Sequence, residues 1–351
     1  MKIRVDKIAS CTLNVGLHHE VVLGDVIPAR AGTVVVGRVL DSKAVYNKLE
    51  DVHGRMATVH RGDIIAGVLG AREAVQGYSG TVPSAVAVGD TLHLLNLGGI
   101  IGQCTSANPE VGPPARVEIL GSVLRFPELG RRVGEPASIF PGPIAFADHL
   151  KPMPPVVMLV GTSMNAGKTR AASSLIRELT KRGLRVGAAK VTGVALRRDT
   201  LEMLDHGASQ AVSFADAGLP STCAGGVLEA ARGCLNALAD EGHDLLVIEL
   251  GDGLLGEYGV SDILEDPEFR ALGAKLVLAA ADPVAAWGGV KFMEQMGHLT
   301  TVVTGPATDN ASGSRAVRTH TGVCTANART QAEALVQVVL DGLCQPLEER
   351  L

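Results

Sequence analysis

Val160-Gly161-Thr162-Ser163-Met164-Asn165-Ala166-Gly167-Lys168-Thr169 is the stretch that decides the fold of this chain. An apolar run, Val156 to Val160, precedes it, and an amphipathic run follows. Strand, small-residue loop and helix start form the context of a phosphate-binding P-loop. Small residues let successive backbone N–H groups point at phosphate oxygens, and a helix N-terminus adds roughly half a positive charge. The candidate nucleotide contacts are therefore Thr162, Ser163, Met164, Asn165, Ala166, Gly167, Lys168, Thr169 and Arg170. Lys168 has the length to reach β- and γ-phosphates, and the Thr169 hydroxyl suits Mg²⁺. The usual pattern G-x-x-x-x-G-K-[ST] puts its first glycine at position 162. Here Thr162 stands there, and Gly161 comes one residue early.

Outward from the loop, strands and helices are expected to alternate. Strands are predicted at 156–160, 185–190, 245–250, 275–281 and 300–304. Helices are predicted at 167–181, 200–206, 226–240, 284–296 and 330–340. In the first helix Ala171, Ala172, Leu175, Ile176 and Leu179 share one face, and Gly183 suits a left-handed cap. This alternation implies a parallel sheet flanked by helices, with ligands beyond the C-terminal strand ends.

Residues 1–125 read differently. Short apolar runs at 33–39, 63–68 and 91–97 sit beside Gly-Asp turns, which suggests a β-rich barrel or sandwich of unknown role. Helical pieces are expected at 44–49 and 71–75. Residues 126–155 carry seven prolines and read as a linker. The P-loop domain is then 156–351.

Composition narrows the class. The 351 residues are 46% apolar and 20% charged, as in a compact globular protein with two domains of ordinary size. A net charge of −5 without a Lys/Arg cluster gives no electrostatic support for nucleic-acid binding. No apolar run approaches a membrane span and the start lacks a signal-peptide pattern, so a cytoplasmic protein is expected. Six scattered cysteines without C-x-x-C read as reduced thiols.

Gly-Thr-Ser-Met-Asn-Ala-Gly-Lys-Thr resembles the loop of dethiobiotin synthetase and of the cobyrinate and cobyric acid amide synthetases. The resemblance covers about residues 156–310. It implies Mg²⁺ ligands at Asp199, in Arg198-Asp199-Thr200-Leu201, and at Glu249, ending Leu245-Leu246-Val247-Ile248. It also implies that Lys190, twenty-two residues after Lys168, contacts phosphate and substrate.

Elementary chemistry allows the same set. Mg²⁺ takes hard oxygen ligands, commonly one or two carboxylates with phosphates. Thr169, Asp199 and Glu249 supply them. Lys168 and Lys190 would stabilise a transferred phosphoryl group. Each has a plain alternative: Asp199 as a helix N-cap, Lys190 as a solvated charge, and Asp252 as metal ligand or water anchor in place of Glu249. Thr192, Arg197 and Asp252 are substrate candidates, with Arg197 and Arg198 suited to clamping an anion. No Asn-Lys-x-Asp guanine-reading motif appears, so ATP is favoured over GTP.

The expected function is an ATP- and Mg²⁺-dependent ligase or kinase that phosphorylates a carboxylate or carbamate for attack by an amine or other nucleophile. Its partner would be that small molecule, with no nucleic acid and no membrane, and homodimerisation is expected only from the resemblance. The alternatives are a nucleotide-hydrolysing switch or cofactor-biosynthesis accessory protein and a nucleotide-binding module without catalysis. Partitioning ATPases and nitrogenase-iron-protein relatives share the broader fold. The partitioning group carries an extra lysine early in the loop, where this chain has Thr162.

Overall fold

The computed structural model describes residues 1–127 and 133–344. They form two compact units. The first comprises Met1–Ala145, Val194–Arg198 and Phe214–Gly226; the second comprises Phe146–Gly193, Asp199–Ser213 and Val227 onward.

In the first unit the β-rich expectation resolves as a barrel. Strand Arg116–Arg125 pairs with Val34–Val39, which pairs with Ile64–Leu69, which pairs in parallel with Ile100–Ala107. Thr91–Leu94 then pairs with both Ile100–Ala107 and Arg116–Arg125 and closes the ring. Closure removes exposed strand edges. The register shifts between Ile119 and Gly121, a bulge of the kind that lets a strand bend round a barrel. The registers put Val35, Val39, Ile65, Leu69, Ile101, Val117 and Ile119 on one face of the ring, all at most 1% exposed.

Three sequence expectations need revision here. Residues 44–49 hold no helix; Lys48–Glu50 is a strand in a hairpin with Met56–Thr58. Residues 71–75 hold none either, and Arg72 bridges to Gly80 in extended pairing. Arg72 is 5% exposed and donates to Tyr46 Oη and the Leu95 carbonyl, so its charge sits in a polar cage. The stretch read as a linker is partly packed: Glu135–Pro136 pairs with Arg116–Arg125, and Ala137 and Ile139 are buried. Residues 128–132 of that stretch, and 345–351 of the expected P-loop domain, lie outside the described residues.

The second unit is an all-parallel six-stranded sheet with helices around it, the architecture of a P-loop NTPase. Its strands are β1 Val156–Gly161, β2 Val186–Thr192, β3 Gln210–Ser213, β4 Leu245–Leu250, β5 Lys275–Ala279 and β6 Thr300–Thr304, in spatial order β3-β2-β4-β1-β5-β6. The helices are α1 Lys168–Lys181, α2 Arg197–Asp205, α3 Val227–Ala239, α4 Val260–Glu265, α5 Pro267–Ala271, α6 Pro283–Gln295, α7 Ala311–Thr321 and α8 Ala332–Cys344. β1 and β4 are buried along their whole length, as strands covered on both faces must be.

The apolar face predicted for α1 is the one that packs. Ala171, Ala172, Leu175, Ile176 and Leu179 are fully buried against Val157, Leu159 and Val247 of the sheet and Leu335, Val336 and Val339 of α8. Burying one such leucine contributes roughly 1.5–3 kcal/mol. Gly183 takes φ +87°, and its N–H donates to the Thr180 carbonyl at 2.9 Å, which ends the helix. Among the described residues no helix is long and apolar enough to cross a membrane.

Candidate functional site

The P-loop joins β1 to α1. Two of its residues take left-handed backbone: Asn165 at φ +64° and Gly167, the N-cap of α1, at φ +102°. Asparagine tolerates that region better than most side chains, and glycine enters it freely. The first turn of α1 holds no acidic residue that would compete with an anion. Thr162 ties the loop to β5: its N–H donates to the Ala279 carbonyl at 2.9 Å, and its hydroxyl accepts the Ala281 N–H at 3.3 Å. Ser163 lends its carbonyl to Lys168 Nζ at 2.9 Å. Ala166 is buried, Met164 half-buried, and Asn165 and Arg170 exposed.

The early glycine has a steric explanation. A Cβ at position 161 would lie 2.7 Å from Lys168 Nζ, 2.8 Å from its Cδ and 2.9 Å from its Cγ. Lys168 therefore folds back across Gly161, and the room that only glycine leaves is where its stem runs. Position 162 is then available for the tethering hydroxyl. Lys168 is only 6% exposed. Burial pulls its ammonium below the ordinary lysine range; Glu249 and Asp252 oppose that shift, and Lys190 adds to it.

Adjacent strands bring the carboxylates to the loop. Glu249 on β4 is the register partner of Leu159 on β1 and of Lys190 on β2. Glu249 is 2% exposed and accepts the Thr169 hydroxyl through Oε1 at 3.1 Å. Its Oε2 is buried and without a hydrogen-bond partner. Burial drives the Glu249 carboxyl above its ordinary value; Lys190 opposes this, Asp199 reinforces it, and Lys168 and the Thr169 hydroxyl oppose it. A buried carboxylate oxygen with no donor fits a cation. Thr169 and Glu249 thus suit Mg²⁺, whose remaining ligands would come from phosphate and water.

Asp199, on α2, forms a buried ion pair with Lys190. Both candidates are present at the site, engaged with each other. Thr192 Oγ1 donates to the Gly251 carbonyl at 2.8 Å, which fixes the backbone after β2 against that after β4. Asp252 takes φ +72°, rare for a non-glycine residue and typical of strained functional turns. Gly253 packs on the P-loop: a Cβ there would come within 2.9 Å of Ser163 Cα.

Arg197 belongs to the first unit, where its N–H donates to Glu50 Oε2 at 2.7 Å, while that of Arg198 donates to Oε1 at 2.8 Å. Glu50 is fully buried and also accepts the Ser10 hydroxyl. Nothing in the sequence marked Glu50, which sat beside a stretch read as helix. A groove of about 690 Å³ in the first unit includes Lys43 and Arg116, but Lys43 is spent on Tyr78 and two carbonyls, and Arg116 clamps Asp41.

No family model matches the chain, and the comparison with curated proteins finds no match. Solved structures resemble it in part. Chloroplast FtsY from Physcomitrella patens superposes with a TM-score of 0.39 at 16% identity, covering 56% of this chain and 69% of that one. A DUF1611 family protein from Anabaena variabilis gives 0.39 at 16%, covering 57% and 63%. The signal recognition particle 54 kDa protein from Aeropyrum pernix, solved with GDP, gives 0.36 at 20%, covering 56% and 48%. None of these three is a dethiobiotin or amide synthetase. At such identities and scores the reading of the site rests on its own geometry.

Proposed function

We propose that the second unit binds a nucleoside triphosphate with Mg²⁺ and catalyses transfer of its γ-phosphoryl group. The observation that carries this reading is the orphaned Oε2 of buried Glu249, set beside the Thr169 hydroxyl at the start of α1. The N–H groups of the loop and of the first turn of α1 receive the phosphates. Lys168 neutralises β- and γ-phosphate charge from its place across Gly161. Thr169 and Glu249 would hold Mg²⁺, which when bound supplies charge neutralisation at the phosphates. Lys190 lies one strand away from Glu249 and adds positive charge on the acceptor side.

The acceptor distinguishes two readings. In the first, a small carboxylate or carbamate is phosphorylated and an amine attacks, as the resemblance to dethiobiotin synthetase implies. In the second, water is the acceptor and hydrolysis drives a change of shape. The second reading draws support from the Lys190–Asp199 pair. If Asp199 serves the metal, it must leave Lys190 when nucleotide arrives, and such a two-position contact is the kind of element a switch uses. Product analysis decides. Phosphate release stimulated by a panel of small carboxylates and amines supports the ligase or kinase; release that ignores them and responds to added protein supports the switch. Absence of any nucleotide turnover, with Lys168→Ala binding nucleotide as well as the native chain, would sink both.

A further inference from the structure

We propose that the first unit carries a ligand site of its own, a groove that binds a singly charged carboxylate with an apolar body. This stands on the first unit alone and does not depend on the nucleotide reading. The groove, of about 690 Å³, is lined by residues 41–45 and 109–114 with His93 and Arg116, all within that unit. Its volume falls in the range of small-molecule sites.

Two spare hydrogen-bond donors come from opposed strand positions. His93, on Thr91–Leu94, is the register partner of Arg116, at the start of Arg116–Arg125. Directly opposed residues share a face of the sheet, with Cβ atoms roughly 5 Å apart. The Cys104 N–H donates to His93 Nδ1 at 3.2 Å, so the neutral ring carries its proton on Nε2. That Nε2–H has no partner among the described residues. Burial holds the ring below the ordinary histidine range; the Gly102 carbonyl and Asp41 oppose that shift, and Arg116 adds to it. Arg116 meets Asp41 through Nε at 3.1 Å and Nη2 at 2.9 Å, which leaves Nη1 over. Two N–H groups from adjacent strands match the two oxygens of a carboxylate.

The charge balance sets the sign of the ligand. Lys43 donates to Tyr78 Oη at 2.9 Å, to the Val111 carbonyl at 3.1 Å and to the Pro113 carbonyl. All three acceptors are neutral, so its hydrogen bonds are complete while its charge is not cancelled. Burial accordingly pulls the ammonium below the ordinary lysine range, and Asp41 opposes this. The charge of Arg116, by contrast, is matched by Asp41. One positive charge is left over, and an anion compensates it. The exposed Glu110 also lines the groove and repels a second negative charge on the ligand, which favours a monoanion over phosphate. Val45, Val111 and Pro114 line the groove as well and suit an apolar body.

Ligand-observed NMR on the full chain with hexanoate tests this, with hexanamide and inorganic phosphate as controls. The native chain should bind hexanoate more tightly than either control, and added salt should weaken it. His93→Phe keeps a ring of similar size and removes the donor; it should weaken hexanoate about tenfold or more, whereas His93→Gln, which keeps an N–H, should retain most of the affinity. Glu110→Gln alters an exposed position and should tighten hexanoate severalfold at low salt. Equal binding of hexanoate and hexanamide would overturn the charge argument and the inference with it. Unchanged affinity in both His93→Phe and Glu110→Gln would place the ligand elsewhere and overturn it too. No binding of hexanoate to the native chain would remove it outright. Each outcome is read without nucleotide, so failure here leaves the phosphoryl-transfer reading where it stands.

Discussion

The Thr169 hydroxyl donates to one oxygen of Glu249 at 3.1 Å, and the other oxygen is buried and has no hydrogen-bond partner. A carboxylate so placed costs stability until a cation arrives. Its proton affinity is raised from the ordinary 4.5, so above 4.5 there is a pH window in which the native chain keeps a proton that the unfolded chain has released. Stability contributed by that proton is present at low pH and is lost as pH rises through the window above 4.5. Glu249→Gln should therefore raise the melting temperature at neutral pH by a few degrees, with the gain shrinking as pH falls toward 4.5. The same variant should lose Mg²⁺-dependent turnover. A melting series from pH 4.5 to 8, without and with Mg²⁺-nucleotide, checks both; no pH trend in the gain would contradict it.

Lys168→Ala should weaken triphosphate binding by roughly ten- to a hundredfold, since charged hydrogen bonds contribute about 1.5–3 kcal/mol each. The lost lysine is one whose charge is already penalised by burial, so the apo variant should melt no lower than the native chain. Fluorescent-nucleotide titration and calorimetry would read the two effects separately.

Gly161→Ala places a methyl group where the Lys168 stem runs. The strand should still form, because alanine suits a buried strand position. Nucleotide affinity should fall about tenfold through displacement of Lys168, comparable to losing one hydrogen bond of about 1.4 kcal/mol. Retained affinity, measured by the same titration, would mean that Lys168 reaches phosphate by another path.

Lys190→Met removes one member of a buried pair and leaves Asp199 and Glu249 with less positive charge. Breaking such a pair costs about 3–5 kcal/mol. The double variant Lys190→Met, Asp199→Leu should recover much of that loss while remaining inactive. Urea unfolding at pH 7 gives the comparison, and equal stability of single and double variants would show the pair to be weak.

Leu175→Ala should destabilise the second unit by about 2–5 kcal/mol through the cavity it leaves between α1, the sheet and α8. Its effect on the affinity of the remaining folded protein should be small, because Leu175 is buried among apolar residues of the sheet and α8.

The legible parts of the sequence were those with strong period. α1 shows five buried apolar residues at helical spacing, and β1 and β4 are unbroken apolar runs. The nearness of Thr169, Lys190 and Glu249 followed from the same logic, because residues that end parallel strands gather at one edge. What escaped lacks such a signal. α7 buries only Val317, so no apolar stripe announces it. α4 and α5 have six and five residues, too few to show a period. The closure of the barrel through Thr91–Leu94 depends on pairing between distant strands, which no local pattern records. Glu50 accepts from backbone N–H groups nearly 150 residues later in the chain, a pairing that no local pattern records.

The fit of Lys168 over Gly161 couples the two positions sterically. A mutational library that varies either one alone will sample broken sites, because every larger side chain at 161 competes with the stem of 168 for one volume. Pattern searches that demand glycine six residues before the lysine would overlook any chain that solves the problem seven residues before it. Pairing an early glycine with a hydroxyl residue after it is the signature by which other chains of this construction could be found.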